Sequence, residues 1–261
     1  MTGPRFKDHF STDSPAYHRF RPSYPERLFA WLAEMAPGRA LAWDCATGTG
    51  QAARGLAGYF SRVVATDASL PQLLAAPADA RVSLVTARAE APPFPAACLD
   101  LITVAQALHW FDTDRFFAQA LRVLRPRGVI AVWSYGLLTV TEEIDRIILR
   151  LYGEVLDNWW PPERRLLENG YRDIPFPFPP LAAPRFSMTA DWPLAGLLGY
   201  LATWSAVQRF RAATGADPLA GITAELRTAW GDPGQPRRIT WPLGLQAGIS
   251  LPDAAAGIPG P

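Results

Sequence analysis

The stretch Ala42-Trp43-Asp44-Cys45-Ala46-Thr47-Gly48-Thr49-Gly50-Gln51 decides the fold of this 261-residue chain. An apolar run from Ala40 to Trp43 ends in a carboxylate, small residues follow, and Ala52-Ala53-Arg54-Gly55-Leu56 has helical character. The pattern reads as a strand, a tight turn and a helix N-terminus. Glycines at such a turn let the backbone approach a ligand closely, and the first N–H groups of the helix have no intrahelical partner. The stretch therefore predicts a turn that holds a nucleotide-like cofactor.

Strands and helices alternate outward from it. Ser23, Pro25 and Glu26 start a helix with Leu28, Phe29, Leu32 and Met35 on one face, and Pro37-Gly38 stop it. Arg62 to Thr66 is β-rich and ends at Asp67, Leu70 to Ala76 is a short helix, and Arg81 to Thr86 alternates as a third strand. Leu99 to Ala105 is a fourth, almost wholly apolar strand. Asp112 or Thr113 caps a helix with Phe116, Phe117, Ala120, Leu121 and Leu124 at helical spacing, and Val129 to Trp133 is a fifth strand. Strands apolar on both faces and separated by helices imply a mostly parallel sheet covered on both sides. Ligands bind such sheets beyond the carboxyl ends of the strands, which puts Asp44, Asp67 and the residues around Gln106 on one rim.

Past residue 140 the texture changes. Thr141 to Asp157 is an amphipathic helix, while Asn158-Trp159-Trp160-Pro161-Pro162 and Ile174 to Pro180 are rich in aromatics and proline. Arg185 to Thr189 and Arg237 to Ile249 read as strands, and Pro193 to Trp204 and Pro218 to Trp230 as helices. The expected organisation is an arm or lid over 1–22 and one α/β domain over 23–250. That domain has a core at 23–138, a helical cap insertion at about 140–182 and the last strands and helices at about 183–250. The Ala/Gly/Pro-rich tail over 251–261 reads as disordered.

Composition narrows the function. Apolar residues make up 49% and charged residues 19%, ordinary for a globular chain. Net charge is +1, Lys7 is the only lysine, and the arginines are scattered rather than striped, so no nucleic-acid surface is expected. Two cysteines, Cys45 and Cys98, lack metal-ligand spacing, as do His9 and His18, so no metal is assigned. No secretory signal and no run of about 18 apolar residues is present, which predicts a cytoplasmic protein with no membrane span. The oligomeric state is left open.

Two cofactors compete for the turn. Gly48-Thr49-Gly50-Gln51-Ala52-Ala53 fits a dinucleotide fingerprint, with Asp67 about where a ribose-binding acid belongs. Against this, Asp44 beside the turn repels a pyrophosphate but suits a ligand carrying an ammonium and a sulfonium. Ordered motifs then extend the pattern. They run from Tyr17-His18-Arg19-Phe20-Arg21-Pro22-Ser23-Tyr24-Pro25 through Asp44 to Gly50, Asp67 and Ala89-Glu90 with Pro93-Phe94-Pro95. Gln106-Ala107-Leu108-His109-Trp110-Phe111 and Arg122 to Gly128 complete them.

With these motifs the chain resembles the class I S-adenosylmethionine-dependent methyltransferases, in particular the small-molecule branch that includes trans-aconitate methyltransferases. The resemblance covers about residues 10–135, with Thr203-Trp204-Ser205-Ala206 as a later match. It implies a Rossmann-like, doubly wound, mostly parallel seven-stranded sheet, S-adenosyl-L-methionine as cofactor and a small molecule as substrate. The expected methyl acceptor is oxygen, in a carboxylate or a hydroxyl. A NAD-dependent oxidoreductase and a non-catalytic S-adenosylmethionine-binding protein are the competing functions.

The implied cofactor residues are Arg21 for the methionine carboxylate, Asp44, Ala46, Gly48 and Gly50 at the turn, Asp67 for the ribose hydroxyls, and Ala89, Glu90 and Gln106. Ala46 replaces the family's first motif glycine, a change the turn accepts if that residue keeps a negative φ. Arg88 replaces an acidic residue near the adenine. His109 is the candidate general base for a hydroxyl acceptor, or else one half of a structural pair with Trp110. Trp110, Trp160 and Trp204 are candidate substrate-pocket walls, with Trp159 and Tyr171 as further aromatics, although such rings more often belong to cores. Arg164, Arg165 and Arg172 could hold an acidic substrate or be solvated. Asp67 could instead cap the helix after it, and Asp44 could simply stabilise the turn.

Overall fold

The computed structural model describes residues 22–251. Arg21, Tyr17, His9 and His18, the proposed arm up to residue 21 and the tail from residue 252 lie outside the described residues.

The first half forms five parallel strands with intervening helices. In chain order these are α1 (Glu26–Met35), β1 (Leu41–Cys45), α2 (Gln51–Ala57), β2 (Arg62–Asp67), α3 (Leu70–Leu74) and β3 (Val82–Thr86). They continue with β4 (Leu99–Ala105), α4 (Thr113–Val123) and β5 (Leu124–Tyr135). Period-2 alternation in the strands builds a core on each face. Ala42, Val63, Ala65, Leu101, Val129 and Ala131 pack on one side against Leu28, Phe29 and Leu32 of α1 and Ala52, Ala53 and Leu56 of α2. Trp43, Cys45, Ile102, Val104, Ile130 and Val132 pack on the other side against Phe116, Phe117, Ala120 and Val123 of α4. α4 is capped by Asp112, whose Oδ1 accepts from the Arg115 N–H at 3.3 Å.

The second half adds α5 (Glu142–Arg150), a π turn at Leu151–Val155, a 3-10 turn at Asp157–Trp159 and α6 (Arg164–Glu168). It then adds β6 (Ser187–Trp192), α7 (Leu194–Ala202), α8 (Ser205–Thr214), α9 (Ala220–Trp230) and β7 (Arg237–Ile249). The completed sheet has seven strands in the order β3-β2-β1-β4-β5-β7-β6, and β7 runs antiparallel to both β5 and β6. The sheet is thus mixed, with one reversed strand.

Several boundaries differ from expectation. The predicted helix over 141–157 is α-helical only to Arg150, because the chain widens into the π turn before reaching the Trp159-Trp160-Pro161-Pro162 block. β5 begins five residues before Val129, and Arg127 within it has φ +66°. Helix α8 was not foreseen; it buries only Ala206 and Val207, too little to leave a clear apolar stripe. Ile144, Ile147 and Ile148 share one core with Leu197 and Leu201 of α7, Leu226 and Trp230 of α9, and Trp241 of β7.

Candidate functional site

Chain order turns back at β1, with β2 and β3 laid to one side and β4 and β5 to the other, so a crevice opens at the carboxyl ends of β1 and β4. A cavity of about 1020 Å³ occupies this position. Its wall runs from Pro22 and the turn at Ala46–Thr49, past Asp67, Ala89 and Glu90, to Gln106, His109 and Trp110, with Tyr135 and Glu163 at the far side.

The turn is made by left-handed backbone at Ala46 (φ +53°), Gly48 (φ +56°) and Gly50 (φ +77°). The condition of a negative φ at Ala46 is therefore not met. The chain reverses there in a conformation that favours glycine, and the alanine methyl is accepted at a steric cost. Gly50 serves as the residue before α2 and does not line the cavity, whereas Ala46 and Gly48 do.

Asp44 lies behind the turn, fully buried, and does not line the cavity. It sits opposite Thr103 in the β1–β4 register. Its Oδ1 accepts the Thr103 hydroxyl at 2.8 Å, its Oδ2 accepts the Thr47 hydroxyl at 2.5 Å, and the backbone at Ala53 adds a further bond. Burial outweighs these bonds and pushes its carboxyl up to about 6. The carboxylate thus braces the turn from inside.

Asp67, at the end of β2, is on the wall. Its Oδ2 accepts the Gly48 N–H at 2.9 Å and its Oδ1 accepts the Ser69 N–H at 2.8 Å, so one side chain ties the glycine turn to the start of α3. Glu90 is fixed from two sides: Arg88 Nε lies 3.4 Å from Oε2, and the Asp112 N–H donates to Oε1 at 3.1 Å. Gln106 follows β4 at φ +59°, held by its N–H to the Trp133 carbonyl at 2.8 Å. Its Oε1 is buried and has no hydrogen-bond partner among the described residues. A buried acceptor left unpaired on a cavity wall is a position for a ligand donor.

His109 and Trp110 form a 3-10 turn with Leu108 and reach the same cavity. His109 Nδ1 is 3.1 Å from the Tyr171 hydroxyl. Burial, with the Arg164 charge as a smaller cause, lowers the imidazole to about 3, so the ring is neutral across the physiological range. Tyr171 is wholly buried, which pushes its phenol far upward.

Trp160 and Trp204 are not brought to the cavity; they belong to the helical core instead. Their rings are 5.5 Å apart, each packs on Tyr152, and Trp160 Nε1 donates to the Tyr152 carbonyl at 3.0 Å. Arg164 lies over Trp160, 4.8 Å from the ring centroid, and donates to the Tyr152 hydroxyl at 2.8 Å. Apolar contacts thus absorb those aromatics. Tyr135 and Glu163 are wall residues that sequence reasoning did not select, and nothing local to either position marks it. Among the described residues no helix is long and apolar enough to cross a membrane.

The expected cofactor fits these residues. A glycine turn, an anchored carboxylate and an unpaired amide acceptor face one cavity of sufficient size. Comparison with known proteins agrees. Residues 43–132 match the family model described as "Methyltransferase domain". A Dictyostelium discoideum protein named "Putative methyltransferase" is 33% identical over 239 residues, covering 88% of this chain and 91% of that protein. A Mycobacterium bovis protein named "Uncharacterized methyltransferase" is 37% identical over 136 residues, 48% of this chain and 51% of that one. Among solved structures, one described as a "Putative Type II Methyltransferase from Anaeromyxobacter dehalogenans" is 50% identical. It has a TM-score of 0.86 and the match covers 89% of this chain and 99% of that one. The chain belongs to the S-adenosylmethionine-dependent methyltransferases of class I.

Proposed function

We propose that this methyltransferase acts on a small molecule, with oxygen in a carboxylate or hydroxyl as the methyl acceptor, as in the branch that includes trans-aconitate methyltransferases. The observation that carries the reading is the single cavity running from the glycine turn to His109, Trp110 and Glu163. Its volume of about 1020 Å³ suits a cofactor with a small partner. The charged residues on its wall are of both signs, Arg54, Arg88 and Arg115 beside Glu90, Asp112 and Glu163, which is unlike the basic stripe a nucleic acid selects.

In this reading Asp67 takes the ribose hydroxyls while keeping the Gly48 turn in place, and Ala46 and Gly48 admit the cofactor's chain closely. Ala89, Glu90 and Gln106 bracket the base and the reacting centre. Arg21 remains a proposed partner of the methionine carboxylate. Asp44 acts through the turn it braces rather than by contact. Bound there, S-adenosylmethionine supplies a methyl on an activated sulfonium leaving group. The residues then have mainly to position the acceptor in line and exclude water.

The test is a methyl-transfer assay with labelled cofactor across a panel of small carboxylates, phenols, alcohols and amines. Turnover confined to oxygen acceptors is expected. Turnover confined to amines, or to nucleic acid offered alongside, would replace the reading.

A further inference from the structure

At the acceptor end of the cavity the fold accepts backbone strain to place one phenol. Tyr171 and the preceding Gly170 are both left-handed, at φ +63° and +64°, a conformation disfavoured for a bulky L-residue. The surroundings enforce it. A Cβ on Gly244 of β7 would lie 3.0 Å from the Gly170 Cα, so the two backbones meet closely and a side chain at Gly244 would require one of them to yield. Gln246 Nε2 donates to the Gly170 carbonyl at 3.1 Å, and the Tyr171 N–H donates to the Leu166 carbonyl at 2.8 Å. Strain of this kind persists where the structure over-determines it, often at functional sites. Its result is a wholly buried ring lying 20° from parallel to His109, with the hydroxyl 3.1 Å from Nδ1.

The phenol proton has a defined destination. The Leu108 backbone acts on the Tyr171 hydroxyl in the sense that favours negative charge there, as a backbone N–H would and a carbonyl would not. Among the described residues the hydroxyl meets His109 Nδ1 at 3.1 Å, a contact in which either atom could hold the proton. A proton on Nδ1 would strand the phenol hydrogen in the interior, a penalty that shifts the equilibrium about tenfold or more.

We propose that Tyr171 is a positioning residue that locks His109 as the Nε2–H tautomer, so that His109 presents a fixed N–H donor to a carboxylate acceptor, which has no proton to lose, and passes no proton. The ring edge opposite Tyr171 carries Nε2, and His109 lines the cavity. Burial and the Arg164 guanidinium of α6 keep the imidazole uncharged, and Tyr135 is the other titratable group acting on Tyr171. The donor half of the proposal rests on the methyl-transfer reading above. The tautomer half stands without it.

The test is a long-range proton–nitrogen correlation spectrum of protein labelled with nitrogen-15 histidine, recorded from pH 5 to 8. The chain has three histidines, and His109→Gln identifies the relevant signals. The expected result is a protonated Nε2 and a bare Nδ1 that do not change over this range. In Tyr171→Phe, which keeps the ring and removes the hydroxyl, the tautomer ratio should fall about tenfold. Wild-type His109 carrying its proton on Nδ1, or titrating between pH 5 and 8, would overturn the proposal. So would identical His109 spectra in wild type and Tyr171→Phe. If that variant does not fold, the wild-type spectrum still decides. Calorimetry with S-adenosylhomocysteine on the same sample separates the two readings. A locked tautomer without binding would uphold the lock and reject both the functional reading and the donor role built on it.

Discussion

Replacing Asp44 by asparagine should stabilise this protein at neutral pH. The carboxyl group of Asp44 has an ordinary value of 3.8 and is pushed up to about 6 by burial. Folded Asp44 therefore keeps its proton up to pH about 6, while the unfolded chain releases it near 3.8. Between those values the native state binds more protons, so stability falls as pH rises through the window, and the loss is complete above about 6. At ~1.4 kcal/mol per pH unit, ionised burial costs about 3 kcal/mol at pH 7. Asparagine keeps the shape and can still bond Thr47 and Thr103, whose hydroxyls both donate and accept. One bond will be less well made, which leaves a net gain of about 1–3 kcal/mol. For a chain of this size each kcal/mol raises Tm by about 2–4 °C. Urea denaturation of both proteins at pH 4, 5.5, 7 and 8 is the assay. The advantage of Asp44→Asn should be full at pH 7 and 8 and shrink to nothing near pH 4. A variant destabilised by several kcal/mol at pH 7, or pH slopes identical in the two proteins, would show that ionised Asp44 does not destabilise the fold.

Two further substitutions test the frame around the turn. Ala46→Gly relieves a left-handed alanine, and should raise stability by about 0.5–1 kcal/mol once the added freedom of the unfolded chain is deducted; thermal melts at pH 7.5 will show it, and a lower Tm would mean the methyl packs favourably. Asp100 is fully buried, pairs with Arg125 Nη1 at 2.7 Å and accepts the Ala40 and Leu41 N–H groups at 2.9 and 3.0 Å. Asp100→Ala takes the acceptor from the Ala40 and Leu41 N–H groups while Arg125 can turn to solvent, and should cost about 2–4 kcal/mol in denaturant unfolding; a loss below ~1 kcal/mol would show that water replaces the carboxylate.

Much of the sheet was legible because local signals agreed. In β1 to β4 apolar runs coincide with carboxylates or turns at their ends, so position and direction could both be read. β7 was readable as a strand over Arg237 to Ile249, but its antiparallel register with β5 and β6 depends on partners more than 40 residues distant in the sequence. Asp44 shows a similar limit. Its place beside the turn is local information, whereas the fact that it faces Thr103, 59 residues away, is set by pairing. The tryptophans show another: Trp110, Trp160 and Trp204 look alike in sequence, and packing sends one to the cavity and two into a core. Ala46 was readable as a replaced glycine, but its φ is fixed by the whole turn.

In the proposed reading the glycine turn and Asp67 hold S-adenosylmethionine. Titration calorimetry with S-adenosylhomocysteine and with NAD, on wild type, Asp67→Asn and Asp67→Ala, tests it most directly. Wild type should bind S-adenosylhomocysteine and not NAD, and Asp67→Ala should weaken that binding about tenfold or more, from charge-assisted bonds of ~1.5–3 kcal/mol each. Asp67→Asn should fall between the two if its fold is intact by circular dichroism. Tight NAD binding without S-adenosylhomocysteine binding, or unchanged affinity in a folded Asp67→Ala, would contradict the account.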